Sequence, residues 1–139
     1  MSRKSVVLLG ILAVGVVLIG GSMVYEFVLK PGPSGPPTAA QLQSWQYSVD
    51  KITTNLQDSG IIEIQLTLQA PSTAVVTELT DRSAQVDDAV IAVLHGLNST
   101  QIMQPGGRHV IKNLVMHRIN SFLTSGKITA VYIDSLIVQ

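Results

Sequence analysis

The sequence predicts an α+β domain, a small sheet packed with two helices, held behind a single N-terminal transmembrane helix. Three observations carry that expectation: an uncharged apolar run near the start, one strictly alternating strand, and two segments with apolar residues at helical spacing. The chain has 139 residues, which is room for one compact domain beyond such an anchor. Its 46% hydrophobic content and mean hydropathy of +0.38 are high for a soluble protein of this size, and most of the excess sits at one end.

Val6 to Tyr25 is a run of twenty residues without a charge. At about 1.5 Å of rise per residue, a helix of that length crosses the roughly 30 Å hydrocarbon layer. For a single segment, only a helix keeps every backbone amide paired in lipid. Arg3 and Lys4 precede the run, so the positive-inside bias places residues 1–5 in the cytoplasm, the span at 6–29, and everything after it outside. Tyr25 and Phe27 fall where interfacial aromatics sit. The rival reading is a cleaved leader, whose apolar region is about 7–15 residues long and ends in small residues. Gly20-Gly21-Ser22 could imitate that site, but the run is longer and continues into Tyr25-Glu26-Phe27. Gly10, Ala13, Gly20 and Gly21 share one side of the helix, without a G-x-x-x-G pattern.

Residues 30–44 read as a linker. Four prolines and two glycines between Lys30 and Ala40 exclude regular structure there and favour an extended, semi-rigid spacer. The domain then occupies residues 45–139. Gln41 to Asp50 suits either a short helix through Leu42, Trp45 and Val49 or a strand through Trp45, Tyr47 and Val49. Ile61 to Leu68 is a half-buried strand, with Ile62, Ile64, Leu66 and Leu68 alternating against Glu63, Gln65 and Thr67. Asp58-Ser59-Gly60 before it is a turn, with Gly60 expected to supply a positive φ. Asp81 is the expected N-cap of an amphipathic helix carrying Val86, Ala89, Val90, Val93, Leu94 and Leu97 and ending near Gly96. A second helix is expected to start at Pro105, to bury Val110, Ile111, Leu114, Val115, Ile119, Phe122 and Leu123, and to stop at Gly126. Ile128 to Val138, rich in β-branched residues, closes the chain as a strand.

No catalytic or cofactor site is visible. Cysteine is absent, which removes thiol chemistry, thiolate metal sites and disulfides together. His109 and His117 are eight residues apart, too far for a one-turn metal pair, and His95 belongs to another helix. Asp87 and Asp88 are adjacent in a helix and point in different directions. No nucleophile elbow surrounds any serine, and Gly106-Gly107-Arg108 lacks the lysine and spacing of a phosphate-binding loop. Asn98-Ser99-Thr100 matches the N-glycosylation pattern, a short motif that also arises by chance. From Trp45 onward eight acids face six bases, a formal charge of −2, with no basic aromatic stripe for nucleic acid.

The C-terminal half resembles the FliL family of flagellar basal-body-associated proteins. The resemblance rests on Ile119-Asn120, Phe122-Leu123, Gly126-Lys127-Ile128, Val131-Tyr132 and the final Val138-Gln139. Upstream, Arg82 with Val86 to Ile91 looks like that family's first helix, and Asn55-Leu56 followed by Gly60 looks like its early hairpin. Asp87 stands where an arginine is usual, and Gly106-Gly107-Arg108 stands where a Pro-Glu-Gly-Lys-like segment is common. The resemblance implies a domain similar to the stomatin and prohibitin group, and a non-enzymatic motility protein without cofactor. It further implies a homo-oligomeric ring around the flagellar stator proteins MotA and MotB in the cell membrane. Leu42, Trp45 and Tyr47, large apolar groups near the membrane-proximal linker, are the candidate stator contacts. They would otherwise pack on the domain's own sheet. The competing functional class is a tethered ligand-binding or sensor module outside motility, since a small α+β fold does not fix function.

Overall fold

Alternation along the central strand dictates the layering. The computed structural model describes residues 35–139, so the expected membrane span at 6–29 and the first part of the linker lie outside the described residues. Strands β1 (Gln46–Asn55), β2 (Ile61–Gln69) and β3 (Ala130–Val138) form one antiparallel sheet in the order β1-β2-β3. In β2 the residues Ile62, Ile64, Leu66 and Leu68 all face the core, none more than 1% exposed. Glu63, Gln65 and Thr67 take the opposite, solvent-side face.

Both outer strands break register at the same level of the sheet. β1 is irregular between Val49 and Ile52, and β3 is irregular opposite Gln65 and Leu66. Charged residues sit at both irregularities: Asp50 and Lys51 on β1, and Asp134 on β3. Lys51 pairs with Glu63 at 2.9 Å, and Asp134 accepts from Thr67 at 2.8 Å. A bulge with a charge is a standard device for stopping an edge strand from recruiting another.

Among the described residues five helices accompany the sheet: α1 (Ala39–Ser44), α2 (Thr73–Asp81), α3 (Ser83–His95), α4 (Ser99–Met103) and α5 (Gly107–Asn120). The two long ones cover the apolar face, α3 lying against β1 and α5, and α5 against β3. Val86, Ala89, Val90 and Leu94 of α3, with Leu97 after it, and Ile111, Val115 and Ile119 of α5 are buried there. The expected α+β class, the two packed helices and the strand at 61–68 are therefore observed.

Several boundaries differ from expectation, each for a local reason. Asp81 is not an N-cap but the last residue of α2, an unanticipated helix; Arg82 bridges it to α3. The β-branched run Thr73 to Thr80 hides α2 from propensity, and burial of Val75 and Leu79 overrides that propensity. The second long helix begins at Gly107 and not at Pro105, with Gly106 in the left-handed region (φ 90°) as its cap. It ends at Asn120, before Gly126. Gly126 instead passes so close to α2 that a Cβ would lie 2.8 Å from Val75 Cγ2. The stripe on α5 is narrower than expected, because Val110 and Leu114 are exposed, 45% and 42%. In the hairpin turn the positive φ belongs to Ser59 (68°) and not Gly60. Gly60 is needed for another reason: a Cβ there would collide with Ser99 Oγ. Finally, the stretch from Lys30 to Ala40 was expected to lack regular structure, yet Ala39 and Ala40 are helical. Once Pro37 is passed, Thr38 caps α1.

Candidate interaction surface

The two readings of Gln41 to Asp50 are both realised, one after the other. α1 ends at Ser44, Trp45 is the hinge, and β1 begins at Gln46. A capping box holds the start of α1: the Gln41 amide donates to Thr38 Oγ1 at 3.3 Å, and the Thr38 amide donates to Gln41 Oε1 at 2.9 Å. All six residues of α1 are exposed. Of the three candidate contact residues, Leu42 is therefore outward, 38% exposed. Trp45 and Tyr47 are partly buried and packed against the core cluster. The structure thus separates the three, leaving Leu42 available and giving Trp45 and Tyr47 a packing role as well.

Gln69 fastens this segment to the sheet, and sequence reasoning missed it. It ends β2 and is one of two buried polar side chains among the described residues. Its Nε2 donates to the carbonyls of Leu42 (3.0 Å), Trp45 (3.2 Å) and Ala70 (3.1 Å), and its Oε1 accepts from Gln46 Nε2 at 3.2 Å. A glutamine at a strand end carries no sequence signal for such a role.

The other buried polar group is Glu78 on α2. Its carboxylate accepts from the Ser125 amide (2.7 Å), the Thr124 amide (3.0 and 3.1 Å) and Thr124 Oγ1 (2.8 Å), and pairs with Arg82 Nε at 3.1 Å. Amide donation from Ser125, reinforced by Thr124, lowers its pKa to about 2. The i,i+4 spacing of Glu78 and Arg82 is the one trace of this latch in the sequence. It ties α2 to the loop that leads into β3, and is fully used within the domain.

Tyr47, Asp50 and Asp87 form an acidic corner where α3 meets β1. Burial raises the Asp87 pKa, and Asp50 adds to the rise. The Tyr47 phenol is raised by burial and by both carboxylates. Asp88 points elsewhere, beside Gln85, Arg118 and Phe122 in a shallow depression of about 180 Å³ between α3 and α5. The histidines are not brought together: His95 lies 2.8 Å from Thr54 on β1, while His109 and His117 are exposed on α5. Among the described residues no cluster of metal-ligating side chains is present. Asn98 of the glycosylation-like triplet is occupied as the N-cap of α4, accepting from the Gln101 amide at 2.9 Å. Gly106-Gly107-Arg108 is the entry to α5, and Gly107 is buried so tightly that a Cβ would collide with the Ile102 carbonyl.

Around α5 the exposed surface combines apolar and cationic side chains. Met103 is 75% exposed, Val110 and Leu114 lie one turn apart on α5, and α5 carries Arg108, Lys112 and Arg118 with no acid. Such a surface suits contact with another macromolecule better than chemistry. Residues 46–139, the whole sheet with its covering helices, match the family described as Flagellar basal body-associated protein FliL. The chain belongs to the FliL family. The Flagellar protein FliL of Bacillus subtilis (strain 168) is 40% identical over 91 residues, covering 66% of this chain and 65% of that protein. That of Aquifex aeolicus (strain VF5) is 30% identical over 76 residues, covering 55% of this chain and 47% of that protein. The chain thus aligns with less than two thirds of either relative's own length. FliL is a family of flagellar accessory proteins and not of enzymes. The resemblance to the FliL family is borne out. Among the described residues no helix is long and apolar enough to cross a membrane.

Proposed function

We propose that this FliL-family chain is a membrane-anchored accessory of the flagellar motor that assembles as a ring around the MotA/MotB stator and steadies it for torque, swimming and swarming. The single observation that supports it best is the pairing of the family match over residues 46–139 with an uncharged run of membrane-spanning length near the N-terminus. In this reading residues 1–5 are cytoplasmic, 6–29 span the membrane, 30–44 link, and the domain from 45 onward is extracytoplasmic, of the stomatin and prohibitin type.

A ring that binds the active stator better than the inactive one shifts the population toward torque generation, and only that difference in affinity does so. Leu42, Trp45 and Tyr47 lie where the linker enters the domain and are the residues proposed to meet the stator, Leu42 foremost because it is outward. Copies of the chain meet through side-chain surfaces, since the bulged, charged edges of β1 and β3 disfavour continuation of the sheet. Met103, Val110 and Leu114 are the apolar groups offered for that contact. A head-to-tail contact of this kind closes into a ring when its rotation permits.

The test is co-purification of the full chain with MotA and MotB from membranes. Recovery of both, reduced by Leu42→Asp, supports the reading. Recovery of neither, from cells with an assembled motor, removes the stator role.

A further inference from the structure

We infer that α1 is a releasable clasp in the tether, giving the segment that enters the domain two lengths, with Gln69 as its catch. The inference rests on the proposed anchoring of the preceding residues for its purpose, but not for its mechanism.

An isolated helix of six residues does not hold itself together in water. α1 also has no buried side chain, Leu42 being 38% exposed, so packing holds it only weakly. What holds it is polar and sits at its two ends. At the start is the Thr38 and Gln41 capping box. At the end, the Trp45 amide donates to the Gln41 and Leu42 carbonyls at 3.1 and 3.2 Å, and Gln69 Nε2 donates to the Leu42 carbonyl, the one bond that ties this end to the sheet. Beyond α1 the attachment changes character. The Trp45 carbonyl accepts from the Ala70 amide at 2.8 Å as well as from Gln69, and the indole packs on the core. The Gln69 backbone is itself fixed, its carbonyl accepting the Thr129 amide at 2.8 Å.

Nε2 has two hydrogens and faces three carbonyls, so its bonds are shared, and the Leu42 carbonyl, unlike that of Trp45, has no second donor from the sheet to hold it. Pulling on residues N-terminal to Thr38 therefore opens α1 first and stops at Trp45. Six residues change from about 9 Å as helix to about 20 Å extended, so the tether lengthens by about 10 Å while the sheet stays intact. A domain held to a moving partner gains slack in this way without losing its fold.

The chain has no native cysteine, so spin labels at Pro37→Cys and Thr53→Cys report this length directly. The full chain is reconstituted in nanodiscs of phosphatidylethanolamine and phosphatidylglycerol, and the distance distribution is measured by double electron–electron resonance. Amide exchange is followed in parallel. The expected result is a short main distance with a minor one about 10 Å longer, the minor fraction rising about tenfold when a cap worth about 1.4 kcal/mol is removed. Gln69→Leu removes the catch. The double change Thr38→Ala with Gln41→Ala removes the exposed cap without touching the core, and decides the matter if Gln69→Leu does not fold. Exchange of β1 and β2 amides stays unchanged in the capping variant. A single distance, unchanged by the capping variant, overturns the clasp, as does exchange of α1 only together with the strands. Failure of the chain to enter nanodiscs removes the anchor, while the same distances measured in detergent still judge the clasp.

Discussion

The Glu78 carboxylate on α2 accepts the Ser125 backbone amide at 2.7 Å, across 47 positions of sequence. That bond, with those from Thr124 and Arg82, fixes the loop between α5 and β3 against α2. It stabilises the ionised carboxylate, so folding and ionisation are linked. A carboxylate whose folded pKa is depressed adds stability above its ordinary value and loses it as pH falls through the folded one.

For Glu78 the window runs from 4.5 down to about 2. The melting temperature of the domain is expected to fall steeply through that window. Glu78→Gln is expected to melt several degrees lower at pH 7 and to show a flatter acid profile, because the charge-assisted bonds are gone at every pH. Circular dichroism melts from pH 7 to pH 2 check it. Parallel profiles for the two proteins contradict it.

Asp87 has the opposite sign. Burial and Asp50 raise its pKa above 3.8, so its ionisation in the folded state opposes folding. Asp87→Asn is expected to raise the melting temperature at pH 7 by about 1–3 °C, modest because the site is partly solvated. The gain shrinks as pH falls through the raised folded value and is gone below 3.8, where folded and unfolded chains both carry the proton. The Tyr47 phenol is expected to ionise at lower pH in the variant, since Asp87 is one cause of its rise. Ultraviolet titration of the tyrosines reads this independently.

Gly107 tests the packing at the start of α5. A Cβ there meets the carbonyls of Ile102 and Gln101, which are backbone and cannot turn aside. Gly107→Ala is expected to cost about 2–3 kcal/mol by overpacking. Gly106→Ala meets no atom within 4 Å, but must adopt φ of 90° and is expected to cost about 1 kcal/mol. Urea unfolding of the two variants separates collision from strain.

These features mark how far the sequence could be read. The period-2 pattern of Ile62 to Leu68 and the 3.6-period pattern of Val86 to Leu97 were legible, because burial on one face writes itself into spacing. Glu78 and Gln69 were not, since each is satisfied by groups far away in sequence. Gly107 and Gly60 were visible as glycines, but the reasons for them lie in the carbonyl of Ile102 and the hydroxyl of Ser99. Leu114 was misassigned to the core for the same cause: its helical phase is right, but among the described residues no element covers that flank of α5. For the candidate contact residues, the division into exposed Leu42 and partly buried Trp45 and Tyr47 was not legible, because it depends on where α1 ends and β1 begins.

Exposure at Leu114 and Met103 leads to a prediction about assembly. Leu114→Lys and Met103→Glu are expected to leave melting within about 0.5 kcal/mol of the parent, since neither side chain is buried. Sedimentation of the full chain is expected to show weaker self-association in both. Unchanged association removes this flank from the interface between copies.

Support of the motor's stator, the proposed role of this chain, is read out by torque. Stepwise torque is recorded from single motors turning a large bead, in cells lacking this chain and in cells with it restored. The account predicts fewer simultaneously engaged stator units at high load in the deletion, recovered by the restored chain but not by Leu42→Asp. An unchanged number of torque steps and an unchanged torque–load curve in the deletion would contradict it.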